Sequence, residues 1–250
     1  MKNFKNEYKK EMIILPVIII IIWYLICDLF QLVPNFMFPG PIDVVTSFVN
    51  LVVSGKLFKD VFETIYKVLF VMLLASVVGI TFGIILGWSK RLETLCKLVI
   101  SILRPIPPIV WIPFSIMWFG IGIGPAVFII FIGCVFPILI STIDGVHRTD
   151  PVLIEATQSF GASNSQMLTE VILPSSVPYI VSGLKVAVGI ALMCTISGEM
   201  IGSSSGIGYM ILTSTNLFDT GSTVVGMLII GVIGIIFDYI FTKVQERIFW

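Results

Sequence analysis

The stretch IYKVLFVMLLASVVGITFGIILGW, Ile65–Trp88, carries a single charged side chain, Lys67. At about 1.5 Å rise per residue, a helix of this length is about 36 Å long. That is enough to cross a hydrocarbon core of roughly 30 Å. Apolar residues fill the stretch continuously instead of alternating with polar ones, which predicts a membrane helix rather than a barrel strand. Working outward, five more runs share this character. The six predicted spans are Met12–Val33, Ile65–Trp88, Leu98–Phe119, Pro125–Ile143, Val177–Ile201 and Val224–Thr242. The expectation is an all-α, polytopic membrane protein, with residues 1–250 forming one transmembrane domain.

Composition agrees with this reading. Of 250 residues, 57% are hydrophobic and 12% charged, against about 45–50% and about 25% in soluble domains. Fifteen basic and fifteen acidic residues leave no net charge, so no nucleic-acid partner is expected, since that would need a basic surface. Cys27, Cys96, Cys134 and Cys194 lie far apart and form no CxxC pair. They read as buried apolar residues, not as a disulfide framework or a zinc site. His147 has no Cys, His or carboxylate cluster beside it, and no metal or cofactor is expected on this chain. No nucleophile–base constellation is visible, so an enzyme is not expected. Lys2, Lys5, Lys9 and Lys10 precede the first run. The run is about 20 residues long with no small-residue cleavage site after it, and it reads as a retained span rather than a signal peptide.

Basic residues near span ends predict orientation. One side carries Lys2, Lys5, Lys9, Lys10, Lys90, Arg91, Lys97, Arg148, Lys243 and Arg247, while the other carries Lys56 and Lys59. Both termini are therefore expected in the cytoplasm, in agreement with an even number of spans. The outer segment Pro34–Thr64 contains Pro39-Gly-Pro41, and Asp43–Leu51 has the apolar spacing of a short surface helix. Gly120-Ile-Gly-Ile-Gly124 reads as a tight turn between spans three and four.

The long cytoplasmic loop Asp144–Ser176 has its own helical signals. Asp150-Pro151 suits a helix start, because Asp caps free N–H groups and Pro tolerates the first helical position. Val152, Ala156 and Phe160 recur every four residues and give one apolar face. Gly161 favours a helix end. Ser163 and Gln166 then have capping-box spacing. The second helix is predicted to stop by Pro174, because the residue before a proline avoids helical geometry. On geometry alone, this two-helix knuckle suits either docking into another protein's groove or packing on the membrane surface.

The loop's residues carry a family resemblance. Glu155-Ala-Thr157, Gly161-Ala162 and Val171-Ile-Leu-Pro174 are similar to the EAA loop of ABC-importer permeases, with Thr157 in place of the usual second Ala. Phe38-Pro-Gly-Pro41, Arg104-Pro-Ile-Pro-Pro108, Trp118-Phe-Gly-Ile-Gly122 and Phe136-Pro137 extend the likeness. So do Gly198-Glu-Met-Ile-Gly202, Ser205-Gly-Ile-Gly208 and Glu246-Arg-Ile-Phe-Trp250. Together they resemble the nitrate, sulfonate and taurine branch of the family. The resemblance implies a type I importer permease in the cell (inner or plasma) membrane. It implies two copies of this chain, two ATPase subunits that consume the ATP, and an external solute-binding protein. The substrate class it implies is a small solute such as nitrate, sulfonate, taurine, bicarbonate or a vitamin precursor. It also assigns ATPase coupling to Glu155, Ala156, Thr157, Phe160, Gly161, Ala162, Leu173 and Pro174.

Ionisable residues inside spans default to a functional hypothesis. Arg104 is expected about 9 Å into span three and Lys185 about 12 Å into span five, both from the cytoplasmic side. Either can snorkel to water, and Asp238 is placed to pair with one of them. Lys67 and Glu63, four apart, read as a same-helix pair. Glu199, near Ser197 and ahead of the Gly202–Gly208 loop, either gates an outer mouth or caps backbone N–H groups of that loop. The loop lacks the Lys-Ser/Thr of a P-loop and is read as facing outward, so it binds no nucleotide phosphate. Pro105, Pro107, Pro108 and Pro113 each remove a helical hydrogen bond. Span three is therefore expected to bend, with Pro108 and Pro113 as possible pathway residues. Gly79, Gly83, Gly87, Gly226, Gly231 and Gly234 are read as close-packing positions. A gradient-driven transporter would show inverted repeats or an acid at mid-depth, and neither is visible.

Overall fold

The computed structural model describes residues 4–248, with side chains described from Ile14 onward. The basic side chains at 2, 5, 9 and 10 and the closing residues 249–250 fall outside that range. No strand occurs among the described residues. The helices are α1 (Phe4–Tyr24), α2 (Pro41–Val53), α3 (Lys56–Trp88), α4 (Lys90–Leu103), α5 (Ile112–Phe119), α6 (Ile123–His147), α7 (Pro151–Ser159), α8 (Asn164–Gln166), α9 (Leu173–Gly202), α10 (Ile207–Asn216) and α11 (Thr220–Ile248).

Four helices are long and apolar enough to cross a membrane: Lys56–Trp88, Ile123–His147, Asn164–Gly202 and Thr220–Ile248. The apolar segment Ile14–Leu29 is shorter. The predicted third span is two helices, Lys90–Leu103 and Pro108–Phe119, bent 85° at the proline-rich break. The expected bend is present, and its sharpness follows from prolines at 105, 107 and 108 that supply no N–H. Arg104 therefore does not sit 9 Å along a straight span; it stands at the break itself.

Residues up to Val61, together with Met210–Ile229, form one compact unit. Within it, Gly40 and Pro41 open α2, and the Trp23 indole N–H donates to the Pro39 carbonyl at 2.9 Å. Thr220 donates to the Asn35 carbonyl at 2.6 Å. A Cβ on Gly226 would meet Ile211 Cγ1 at 2.5 Å, which is the close approach expected there.

The second unit contains Phe62–Tyr209 and the chain from Ile230 onward. Its core is the seam between α6 and α9, lined by small residues. A Cβ on Gly183 would lie 2.6 Å from Ser141 Cβ, and one on Gly145 would lie 2.9 Å from Tyr179 Cβ. The predicted stripe Gly79, Gly83, Gly87 brings α3 against α6: added Cβ atoms would meet Ile138 at 2.9 Å, Thr142 at 2.5 Å and Val146 at 2.8 Å. Gly231 has nothing within 4 Å and Gly234 only Leu192 at 3.9 Å, so these two are not close-packing positions among the described residues. Cys27, Cys134 and Cys194 are buried and Cys96 is half-buried, all with free thiols.

Pro174 does not end a helix. Asn164–Gly202 is one continuous 39-residue helix, in which Met167–Ile172 is a π-helical turn. The Leu173 N–H donates to the Leu168 carbonyl, five residues back. The wider register gives room ahead of a residue with no N–H to offer. This is how the chain avoids the break expected at a proline.

Candidate functional site

The cytoplasmic knuckle is built by local rules. Asp150 Oδ1 accepts from the Val152 N–H at 2.9 Å and Pro151 takes the first position of α7. The helix ends with Gly161 at φ +78°. There the Gly161 N–H bonds the Gln158 carbonyl at 2.9 Å and the Ala162 N–H bonds the Thr157 carbonyl at 3.2 Å, the Schellman pattern. Across the elbow, Ser163 and Gln166 form the expected capping box: the Ser163 N–H donates to Gln166 Oε1 at 2.9 Å and the Gln166 N–H to Ser163 Oγ at 3.3 Å.

One face of this knuckle is tied down. Ile154 and Leu168 pack on Val146, Met167 and Ile172, and the Arg148 guanidinium lies 5.6 Å from the Tyr179 ring centroid. The opposite face is bare. Val152 and Leu153 are exposed and Phe160 is 91% exposed. Glu155, Ala156 and Pro174 are also exposed, while Thr157, Ala162 and Leu173 are half-buried. The additional hydroxyl of Thr157 donates to the Leu153 carbonyl at 2.6 Å and leaves the outer face unaltered. The knuckle thus has an apolar outer face on a base packed against α6 and α9. His147 has a carboxylate neighbour that sequence distance hid, Glu93 of α4 at 3.3 Å.

Lys67 does not pair with Glu63. Lys67 Nζ lies 3.0 Å from Glu199 Oε1, with the two side chains 2% and 0% exposed. Lys67 also donates to Ser203 Oγ at 3.2 Å and to the Ser205 carbonyl at 2.9 Å. Thr64 Oγ1 bridges both Glu199 oxygens at 2.9 and 3.0 Å, and the Gly208 N–H donates to Glu199 Oε2 at 2.9 Å. Glu199 therefore caps the loop's backbone, one of the two readings left open. Ser205 Oγ donates to Glu63 Oε2 at 3.1 Å. Gly206 sits at φ +110°, where a Cβ would collide with the Glu199 carboxylate. Ser197 is half-buried and donates to the Met193 carbonyl of its own helix at 3.0 Å.

Lys185 reaches Asp238 at 3.2 Å and Thr242 at 2.8 Å, which identifies the partner of Asp238. Pro108 lines a cavity of about 440 Å³ together with Arg104, Gly133, Pro137, Ser141 and Asp144. Pro113 is exposed and does not line that cavity. Asp144 and Ser141 drew no notice in the sequence because they lie about forty residues from Arg104. Only the folding of α6 beside the proline break brings them together.

The class these features define is a polytopic helical membrane protein with an exposed apolar knuckle. Comparison with known proteins narrows it. Residues 79–250 match the family of binding-protein-dependent transport system inner membrane components. An ABC transporter permease protein of Methanocaldococcus jannaschii is 40% identical over 81% of this chain and 76% of its own length. An aliphatic sulfonates transport permease of Bacillus subtilis is 33% identical over 94% of this chain and 84% of its own. Other relatives are named as taurine (Escherichia coli) and nitrate (Synechococcus elongatus) permeases. In fold, the chain is similar to one of the methionine ABC transporter MetNI, solved in inward-facing conformations. The TM-score is 0.68 at 18% identity, covering 76% of this chain and 95% of that one. The chain belongs to the binding-protein-dependent transport system inner membrane component family. It is a permease subunit of an ABC importer in the membrane, a transport component rather than an enzyme. Membership implies an ATPase and a solute-binding protein as partners.

Proposed function

We propose that two copies of this chain form the path for a small solute bearing an anionic group, delivered by the external binding protein and driven by two ATPase subunits. The solute class is that of nitrate, sulfonates, taurine or bicarbonate, with vitamin precursors as the wider family alternative. The names of the sulfonate, taurine and nitrate relatives support it. In this reading the chain crosses the membrane six times, with the bent α4–α5 pair and α1 completing the set and both termini in the cytoplasm. The biased distribution of Lys and Arg supports that orientation.

Coupling runs through the knuckle, residues 148–174. Glu155, Ala156, Thr157, Phe160, Gly161, Ala162, Leu173 and Pro174 form the ATPase-facing surface and its base. ATP binding draws the ATPase subunits together. The seated knuckles carry that motion into α6 and α9, and the path alternates between outward and inward access. No ATP or other cofactor binds this chain; the nucleotide belongs to the partner. Ser197 at the outer end and Pro108 and Pro113 at the proline break are assigned to the path, while Glu199, buried on Lys67 and the Gly208 N–H, anchors the outer loop.

The observation that carries the reading is the bare apolar face ending in Phe160, 91% exposed on a well-capped helix. A side chain of that size held in water by a rigid elbow suits a partner's pocket. Gly161→Asp forces a side chain into a left-handed turn, and Glu155→Lys reverses a surface charge. Both variants are expected to insert in the membrane while losing ATP-driven uptake and co-purification of the ATPase. Wild-type uptake by both would remove the docking assignment.

A further inference from the structure

The cavity beside the proline break holds two opposite charges that do not meet. Arg104 and Asp144 both line it, with Ser141 between apolar walls that include Pro108 and Pro137. The ion pairs of the described residues are Lys67–Glu199, His147–Glu93, Lys185–Asp238 and Lys243–Glu246; neither Arg104 nor Asp144 takes part in one. No side-chain hydrogen bond satisfies either of them among the described residues. Both side chains are exposed, Arg104 at the proline break and Asp144 in the last turn of α6, and charged groups that line a water-accessible cavity in a membrane protein mark solute paths. Two such charges facing one cavity, separated by more than bonding distance, match a ligand that carries both signs. An ordinary anion site would be weakened by Asp144, and a cation site by Arg104.

The cavity follows α6 from Ile132 to Asp144, about 18 Å of helix at 1.5 Å per residue. Its volume of about 440 Å³ lies within the range of small-ligand sites.

We propose that this cavity is a binding station for a small zwitterion. Arg104 takes the sulfonate or carboxylate end in its planar fork of donors. Asp144 takes the ammonium end, and Ser141 offers a hydroxyl to either. The assignment rests on the importer reading and adds the site and the ligand's second charge to it.

The test uses the assembled transporter in lipid vesicles, with radiolabelled taurine and ethanesulfonate as probes. They share a skeleton and differ in the ammonium group. Without nucleotide, the unaltered transporter is expected to bind taurine at least about tenfold more tightly than ethanesulfonate. Asp144→Asn brings the two probes to parity, Asp144→Glu keeps the preference, and Arg104→Gln loses both probes. An unchanged probe ratio in Asp144→Asn, beside a normally folded Asp144→Glu, overturns the proposal. So does an Arg104→Gln effect that appears only in vesicles containing phosphatidylglycerol, because Arg104 would then be holding a lipid phosphate. ATP-driven uptake is recorded separately. Lost uptake with retained taurine binding would count against the importer coupling and leave this site standing. Retained uptake indifferent to positions 104 and 144 would do the reverse.

Discussion

Lys67 shows what a single residue's spacing conceals. Four positions from Glu63 on one helix, it has the geometry of a surface i,i+4 pair. The structure instead sends it to Glu199 at 3.0 Å and to the Ser203–Ser205 loop. A loop with Gly206 at φ +110° folds back over the carboxylate, and no local pattern announces that return. The signal available in sequence was the cluster of Ser and Gly after an intramembrane acid, which left the capping reading open. Removing one member of a buried pair strands the other charge, at a cost of about 3–5 kcal/mol, whereas replacing both by apolar residues is often neutral. Lys67→Met alone is therefore expected to lower the unfolding temperature of the purified chain clearly, and Lys67→Met with Glu199→Leu to recover most of the loss. If the double variant is no better than the single one, the pair is not the cause. Gly206→Ala, with its Cβ directed into Glu199, is expected to destabilise by a similar route, and Glu199→Ala in the same chain to relieve the clash.

At the scale of elements, the helices themselves were legible because continuous apolar runs and capping residues are local properties. The α7 start at Asp150-Pro151, the Gly161 elbow and the Ser163–Gln166 box all formed as the spacing predicted. The stop at Pro174 did not, because a π-helical turn over Met167–Ile172 absorbs the missing donor. Such a turn has no strong sequence signature. It holds the knuckle in a fixed rotation relative to α9. Inserting one alanine after Gln166, at the edge of the turn, rotates the knuckle against α9 by about 100°. The expected result is a chain that inserts normally and no longer retains its ATPase on co-purification. Retention of the ATPase by that insertion would show that the rotation of the knuckle does not set the docking face. The α3–α6 contact makes a second prediction. Gly83→Leu drives a side chain into Thr142, 2.5 Å from an added Cβ, and overpacking costs about 1–3 kcal/mol. A lower thermal midpoint in detergent checks it, and an unchanged midpoint would contradict the close packing.

For the whole molecule, composition and apolar runs sufficed to place the chain in a membrane, and the loop motif sufficed to suggest its family, which the comparisons bear out. The long-range placements were not legible. Arg104 faces Asp144 only because α6 folds beside the break between α4 and α5, and His147 meets Glu93 for the same reason. The two-helix form of the knuckle, in contrast, was legible from local spacing, and the proposed coupling turns on it. The most direct measurement places a crosslinker there. In vesicles from cells making Phe160→Cys together with the ATPase subunit, a short bifunctional thiol reagent is expected to join the two chains. The yield should change between ATP-bound and nucleotide-free states. A Cys at position 160 that reacts only with an impermeant reagent added outside the cell, or that never crosslinks to the ATPase, would contradict the account.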